Sequence, residues 1–201
     1  MSKPEDDIQS LLRGAGADPK VIEAVMDIDA TLQKWRRRIS KRELGKRALA
    51  LLNLDIELAQ LDVLFAIAAP LREFDPGEGE TMVSTVAERL AIDPSRASRI
   101  VAEMVAAGYV RRAVSQADAR RSILELTPAG EAVVRAVQSY KWLMMGDFLS
   151  DWTEAEITAF VPLLARFADW YRESAENDAR YAREIEVLAR TVADARASVK
   201  A

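Results

Sequence analysis

The chain has 201 residues, of which 50% are hydrophobic, and a formal net charge of −4, so it can bury one sizeable core or two small ones. The absence of both Cys and His excludes a thiol-based peroxide switch and any metal sensor built on thiolate or imidazole ligands. It also removes most nucleophile–base pairs, and no glycine-rich phosphate loop is present, so we expect no enzyme: no catalytic residue, no cofactor and no metal site.

Residues 1–56 predict a short helix or arm followed by a long amphipathic helix. The first residues lack a basic segment followed by an apolar one, so we expect no secretion signal and a cytoplasmic protein. The most apolar run, residues 61–71, is too short to cross a bilayer and is broken by Asp62 and Pro70. Before it, apolar residues recur at the 4-3-4-3-4 spacing of a helix that packs against another helix. They are Val21, Val25, Ile28, Leu32, Trp35 and Ile39.

Residues 85–108 predict two short helices joined by a tight turn. Thr85 and Glu88 have the spacing of a capping box, although the start of the first helix stays open over residues 81–85. In the turn, Asp93 supplies an N-cap oxygen, and Pro94 suits a first helical turn because it has no N–H to leave unpaired. The second helix should therefore start at this point.

The second helix has an apolar face and an opposite face that is polar near its N-terminal end. Gly108 should end the helix, because glycine tolerates positive φ. In helix-turn-helix proteins the N-terminal part of the second helix meets the base edges, and Arg is well shaped to chelate guanine. The polar residues predicted to read DNA are Ser95, Arg96, Ser98 and Arg99.

Residues 109–126 predict a hairpin with a charged tip, with strands over residues 109–113 and 122–126. Thr127 and Pro128 then cap and open another helix. On an isolated hairpin, arginines are usually solvated surface charges. Beside a helix-turn-helix they indicate a wing, because guanidinium groups suit the narrow and negative minor groove. The hairpin arginines are Arg111, Arg112, Arg120 and Arg121.

Residues 129–201 predict long helices interrupted at residues 146–152. Thr153 and Glu156 form a capping box that starts the next helix, and residues 176–201 stay helical and strongly charged. About 130 residues flank the winged core and must pack somewhere, and pairing with a second copy would cover them. A second set of apolar residues repeats the 4-3-4-3-4 spacing seen over residues 21–39. They are Ile157, Val161, Leu164, Ala168, Tyr171 and Ala175.

The acidic net charge does not exclude a DNA partner, because charge is unevenly distributed along the chain. Residues 82–127 hold seven Arg and five acidic residues, whereas residues 147–186 hold four Arg and ten acidic residues. DNA binding should therefore depend on a few placed arginines rather than on a broad cationic field.

Over about residues 55–130 the chain resembles the MarR family of bacterial transcription regulators. The resemblance is carried by residues 86–90, 98–101 and 108–112, and most specifically by Asp118-x-Arg120 followed by Leu126-Thr127-x-x-Gly130. It implies a mostly α fold with a small β-hairpin wing. A winged helix-turn-helix DNA-binding domain (57–128) would be flanked by a helical dimerisation domain built from both chain termini (1–56 and 129–201).

The resemblance also implies a homodimeric repressor relieved by a small organic ligand, aromatic or anionic. Arg120 would enter the minor groove with Asp118 orienting it, while Thr85 and Arg121 would contact phosphates. The expected partners are double-stranded DNA, a second copy and the small effector, with no membrane. The effector pocket would draw on Trp35, Arg38, Phe65, Trp142 and Met145, residue types that more often fill space than bind a ligand.

The acidic surplus keeps one alternative open. A non-enzymatic protein-interaction module could retain the winged-helix fold without binding DNA, because fold alone does not determine function. Salt dependence separates the two functions, since DNA binding weakens steeply as salt rises.

Overall fold

A computed structural model describes the backbone of residues 4–68 and 80–199. It describes the side chains of the same residues except 4–7, 38–40, 171–177 and 198–199. The backbone divides into two compact units. One is Lys41–Ser150, and the other is formed by the chain before and after it. Both chain termini thus contribute to one helical unit. The functional domain boundaries predicted after residues 56 and 128 remain a prediction.

The fold is mostly helical with one two-stranded antiparallel hairpin in the described residues, as the sequence predicts. The predicted order of helix, turn, helix and hairpin is confirmed. In chain order the elements are α1 (Pro4–Gly14), α2 (Pro19–Ser40), α3 (Glu43–Leu51), α4 (Leu58–Ala68), α5 (Val83–Leu90), α6 (Pro94–Ala106), β1 (Val110–Val114), β2 (Ser122–Leu126), α7 (Pro128–Leu149), α8 (Glu154–Arg180) and α9 (Ala182–Val199).

The core of the unit Lys41–Ser150 lies where α4, α5 and α6 meet the hairpin and α7. Burying a Val, Leu or Met side chain in this core contributes about 1.5–3 kcal/mol relative to leaving it exposed. The core therefore fixes α5 and α6 against each other and anchors the hairpin through both of its strands, by Val110 and Leu124. The largest fully buried side chains are Val63, Leu64, Val86, Val101, Met104 and Val110.

Helix α5 does not begin with the predicted capping box of Thr85 and Glu88. It begins at Val83, with Met82 as its N-cap residue. Thr85 is the third residue of the helix, and its Oγ1 accepts a hydrogen bond from the backbone N of Met82 at 3.2 Å. The third position of a helix commonly holds a side chain that bonds back to the N-cap N–H. Thr85 therefore takes part in a capping box as the third helical residue, with Met82 and not Thr85 as the N-cap.

Helix α6 begins and ends as predicted. Asp93 is the N-cap residue, and its Oδ1 accepts hydrogen bonds from the backbone N of Ser95 at 2.8 Å and of Arg96 at 3.4 Å. Pro94 occupies the first turn, where no N–H is missed. After the helix the chain reverses at Gly108, whose φ of 79° is strained for residues with a Cβ.

The hairpin pairs in the register Val110↔Leu126 to Val114↔Ser122, so β1 starts one residue later than predicted. Tyr109 belongs to a joint rather than to the strand. Its N donates to Met104 O at the end of α6, and its O accepts from Thr127 N, both at 3.0 Å. The wing is therefore tied to the helices on both of its sides.

Helix α7 begins at the predicted Thr127-Pro128 pair. Thr127 Oγ1 accepts from Gly130 N at 3.2 Å and donates to Gly108 O at 2.7 Å. A Cβ on Gly130 would lie 2.2 Å from Tyr109 O, which is far inside contact distance. Gly130 therefore permits the close approach of α7 to the base of the hairpin.

In the other unit, the apolar stripe predicted over residues 21–39 lies within α2, and the one predicted over residues 157–175 lies within α8. The predicted break between two long helices is present but shorter than residues 146–152, because α7 continues to Leu149 and α8 starts at Glu154. Thr153 N donates to Glu156 Oε2 at 2.8 Å and Glu156 N donates to Thr153 Oγ1 at 3.3 Å, so this predicted capping box is confirmed. No helix within the described residues is both long and apolar enough to span a membrane.

Candidate nucleic-acid interface

The first two turns of α6 present four polar side chains to solvent. Ser95, Arg96, Ser98 and Arg99 are exposed. On the opposite face Ala97 and Ile100 are buried, and this alternation follows from the 3.6-residue period of the helix. The structure thus brings the four residues predicted to read bases onto one surface.

Ser95 and Asp93 fix the first turn of this surface. Ser95 Oγ donates to Asp93 Oδ1 at 2.5 Å. This bond, followed by those from the backbone N–H groups of Ser95 and Arg96, holds the pKa of Asp93 below its ordinary value. The charged carboxylate is favourable at a helix N-terminus. Because the hydroxyl proton of Ser95 is committed to Asp93, its oxygen faces a ligand as an acceptor.

Arg99 is tied to α4 through two further side chains. Its Nη1 donates to Glu103 Oε1 at 2.8 Å, and Glu103 Oε2 accepts from Gln60 Nε2 at 3.1 Å. The Arg99 side chain nevertheless stays 68% exposed. Sequence reasoning missed Gln60 and Glu103, because a bond across 43 positions leaves no local pattern.

Hydrogen bonds within the hairpin loop shape the tip that carries Arg120 and Arg121. Ser115 is only 3% exposed, and its Oγ accepts from the backbone N of Ala117 at 3.1 Å and of Asp118 at 3.0 Å. Asp118 Oδ1 accepts from the backbone N of Arg120 at 3.0 Å. Both arginine side chains are exposed. Asp118 therefore contacts Arg120 through the backbone and sets the shape of the loop.

Glu80 fastens the same loop to the segment before α5. Its Oε1 accepts a hydrogen bond from the backbone N of Gln116 at 2.8 Å. The Ser115 side chain first, then the Gln116 N–H and the charge of Arg121, hold the pKa of Glu80 below its ordinary value. Sequence reasoning missed Glu80 as well, because it lies 36 positions from its partner.

Thr85 and Arg89 lie on α5, which precedes the tight turn. Thr85 is half-buried, and its hydroxyl accepts from Met82 N, so its own proton stays available for donation. Arg89 Nη1 donates to Ala66 O at 2.6 Å and to Thr81 Oγ1 at 3.2 Å. Arg89 thus links α5 to the backbone of α4 near the end of that helix.

A cavity of 180 Å³ lies within the unit Lys41–Ser150 and has largely apolar walls. Phe65, one of the predicted effector residues, lines it. Tyr140 also lines it, and the Tyr140 hydroxyl is buried without a hydrogen-bond partner. A buried hydroxyl without a partner is costly, so the cavity presents this unmet polar group among walls that are apolar except for Asp62 and Lys141.

The other predicted effector residues do not line this cavity. Trp142 and Met145 are exposed on α7, with 63% and 50% of their surface accessible. Trp35 is exposed on α2. The side chain of Arg38 lies outside the described residues. Among the side chains that are described, no group of three or more carboxylates could hold a metal ion.

An exposed second helix beside an arginine-tipped hairpin defines a winged helix-turn-helix protein. Residues 54–121 match the family model of the MarR family. This match confirms the resemblance to the MarR family predicted from the sequence over these residues. No curated protein matches the chain.

Solved structures share the fold over most of their length. A MarR family protein from Bacillus stearothermophilus is 20% identical, with a TM-score of 0.58 over 73% of this chain and 97% of that chain. YusO from Bacillus subtilis is 23% identical, with a TM-score of 0.53 over 76% and 98%. MepR from S. aureus bound to ethidium bromide is 20% identical, with a TM-score of 0.50 over 69% and 95%. At these identities the likeness establishes the fold.

Proposed function

We propose that the protein is a homodimeric, sequence-specific DNA-binding transcriptional regulator that acts in the cytoplasm. The observation that carries the proposal is the exposed polar surface at the N-terminal end of α6, formed by Ser95, Arg96, Ser98 and Arg99. In helix-turn-helix proteins this part of the second helix meets base edges in the major groove. The match of residues 54–121 to the MarR family model supports the same function.

The proposed contacts divide between bases and backbone. Arg96 and Arg99 can chelate guanine O6 and N7, while Ser95 and Ser98 reach neighbouring base edges. Arg120, at the tip of the wing, enters the minor groove, and Asp118 maintains the loop that presents it. Thr85 and Arg121 contact phosphates and fix the register of the protein on the duplex.

Two copies are proposed to pair through helices outside the winged domain. Large exposed apolar patches usually mark an interaction surface, and a two-fold pair covers the same patch on both copies. Such a dimer places its two α6 helices about 34 Å apart, one turn of DNA, and so requires a pseudo-palindromic operator. The exposed side chains on α7 and α8 include Trp142, Leu143, Phe148, Val161, Leu163 and Trp170.

The regulator is further proposed to be a repressor that a small organic molecule releases from DNA by binding beside Phe65 and Tyr140. An apolar cavity of about 150 Å³ accepts benzene, so the volume of 180 Å³ suits one aromatic ring. The unpartnered Tyr140 hydroxyl would bond a phenolic or carboxylate oxygen. MepR, which shares the fold, has been solved with ethidium bromide bound, and this supports an aromatic ligand.

Replacing Tyr140 by Phe is expected to keep or raise the unfolding temperature of the free protein, because it removes a buried hydroxyl that has no partner. The same change should remove the thermal stabilisation produced by phenol or benzoate, the two single-ring probes. Calorimetry with and without each probe measures both effects. Equal stabilisation of both proteins by the probes would disprove the role of Tyr140.

Selection from a random pool of double-stranded oligonucleotides tests the DNA-binding function. We expect a two-fold symmetric sequence whose affinity falls steeply as salt rises, because bound phosphates release counterions. A protein-interaction module would select no sequence and bind no DNA even at low salt. A selected sequence without two-fold symmetry would contradict the homodimer while leaving DNA binding intact.

A further inference from the structure

The amide of Gln60 has a fixed orientation. Its Oε1 accepts from the backbone N of Glu57 at 2.9 Å, at the start of α4 where N–H groups have no partner within the helix. A carboxamide accepts through its oxygen and donates through its nitrogen. This bond therefore turns Nε2 toward Glu103, where it donates to Oε2 at 3.1 Å.

Glu103 uses its other oxygen to hold Arg99. Oε1 accepts from Arg99 Nη1 at 2.8 Å across one turn of α6. The pair is largely open to solvent, with 68% of the Arg99 side chain and 39% of the Glu103 side chain exposed, so it adds little to stability. A guanidinium has five N–H donors, so Arg99 keeps enough of them to chelate a base. The main effect of the pair is on where the guanidinium lies.

We propose that Glu103, oriented by Gln60, is a positioning residue for base recognition by Arg99. The inference rests on the proposed DNA-binding function. Holding Arg99 in place before binding reduces the rotamer entropy lost in the complex. The carboxylate also repels phosphates, so an Arg99 side chain that meets no matching base gains little from the DNA backbone. Glu103 thereby lowers the affinity for DNA in general and raises the discrimination at one base pair.

The test compares the base preferences of four proteins selected on the same random double-stranded pool. Arg99→Ala identifies the base pair that Arg99 reads, as the position where preference is lost. Glu103→Ala should weaken preference at that same position about twofold, the size of effect that an exposed i,i+4 pair can exert on the population of one Arg99 conformation. It should also tighten binding to an unselected duplex at low salt. Gln60→Ala leaves the charge unchanged, so it should weaken the same preference without tightening nonspecific binding.

A matched control is Glu186→Ala, which removes a carboxylate from another i,i+4 pair, with Arg190 on α9. It should leave every base preference unchanged, and thermal unfolding of each variant verifies the fold. If Arg99→Ala abolishes a preference that Glu103→Ala and Gln60→Ala both retain in full, the positioning role is wrong. If Arg99→Ala changes no preference, the proposed Arg99 contact itself is wrong, and the positioning role is overturned with it.

Discussion

The Arg99→Ala protein is expected to bind the selected operator far more weakly than the wild type. A bidentate contact between Arg and guanine is worth about 1–3 kcal/mol. A symmetric dimer loses this contact in both half-sites, so the loss amounts to roughly 2–6 kcal/mol. The fold should stay intact, because an exposed i,i+4 ion pair contributes only about 0.3–0.5 kcal/mol to stability. Fluorescence titration at one fixed salt concentration measures the change.

Arg190→Ala is the control for this experiment, because it removes one positive charge from a comparable i,i+4 pair on α9. It should leave operator affinity unchanged. Equal affinities of wild type and Arg99→Ala would refute the assignment of Arg99 as a base-reading residue. Similar losses in both variants would mean that overall charge, rather than a placed contact, sets the affinity.

The polar surface of α6 could be predicted because the features that form it are local. Asp93 and Pro94 mark the helix start through an adjacent cap and a missing N–H, and both features need only neighbouring residues. Gly108 marks the end through its backbone conformation. With both ends fixed, the helical period determines which side chains are buried and which are exposed. Local signals therefore sufficed to place the four polar residues together.

The groups that hold this surface in place could not be predicted, because their partners are distant in sequence. Glu80 braces the hairpin loop through Gln116, and Gln60 braces Arg99 through Glu103. In the sequence alone, Glu80 and Gln60 cannot be told apart from ordinary exposed polar side chains. The predicted capping box of Thr85 and Glu88 was wrong for a different reason, since a Thr can take part in such a box either as the N-cap or, as here, at the third helical position.

The cavity residues were predictable only in part. Phe65 lies in the strongly apolar α4, where almost any aromatic residue would contact the core. Tyr140 was missed because a hydroxyl without a partner is a property of its three-dimensional surroundings, not of its sequence position. Trp142 and Met145 share an exposed face of α7. In the sequence, large apolar residues at helical spacing are as typical of a subunit contact as of a ligand contact.

The Gly130→Ala protein is expected to be destabilised by about 1–3 kcal/mol or more, the cost of overpacking a close contact. A Cβ at this position would lie 2.2 Å from Tyr109 O and 3.2 Å from Tyr109 C, and both are backbone atoms. No side-chain rotation can relieve the overlap, so α7 must move away from the base of the hairpin. That movement would break the bond from Thr127 N to Tyr109 O and displace the wing.

Gly146→Ala supplies a control on the same helix with the opposite sign. A Cβ there meets nothing within 4 Å, so Ala should stabilise the protein by about 0.4–1 kcal/mol by restricting the unfolded chain. Urea unfolding at one protein concentration measures both variants, since the stability of a dimer depends on concentration. Equal unfolding midpoints for Gly130→Ala and the wild type would show that α7 does not approach the hairpin this closely. A loss confined to Gly130→Ala, together with weaker operator binding, would show that the joint at Tyr109 also sets the position of the wing.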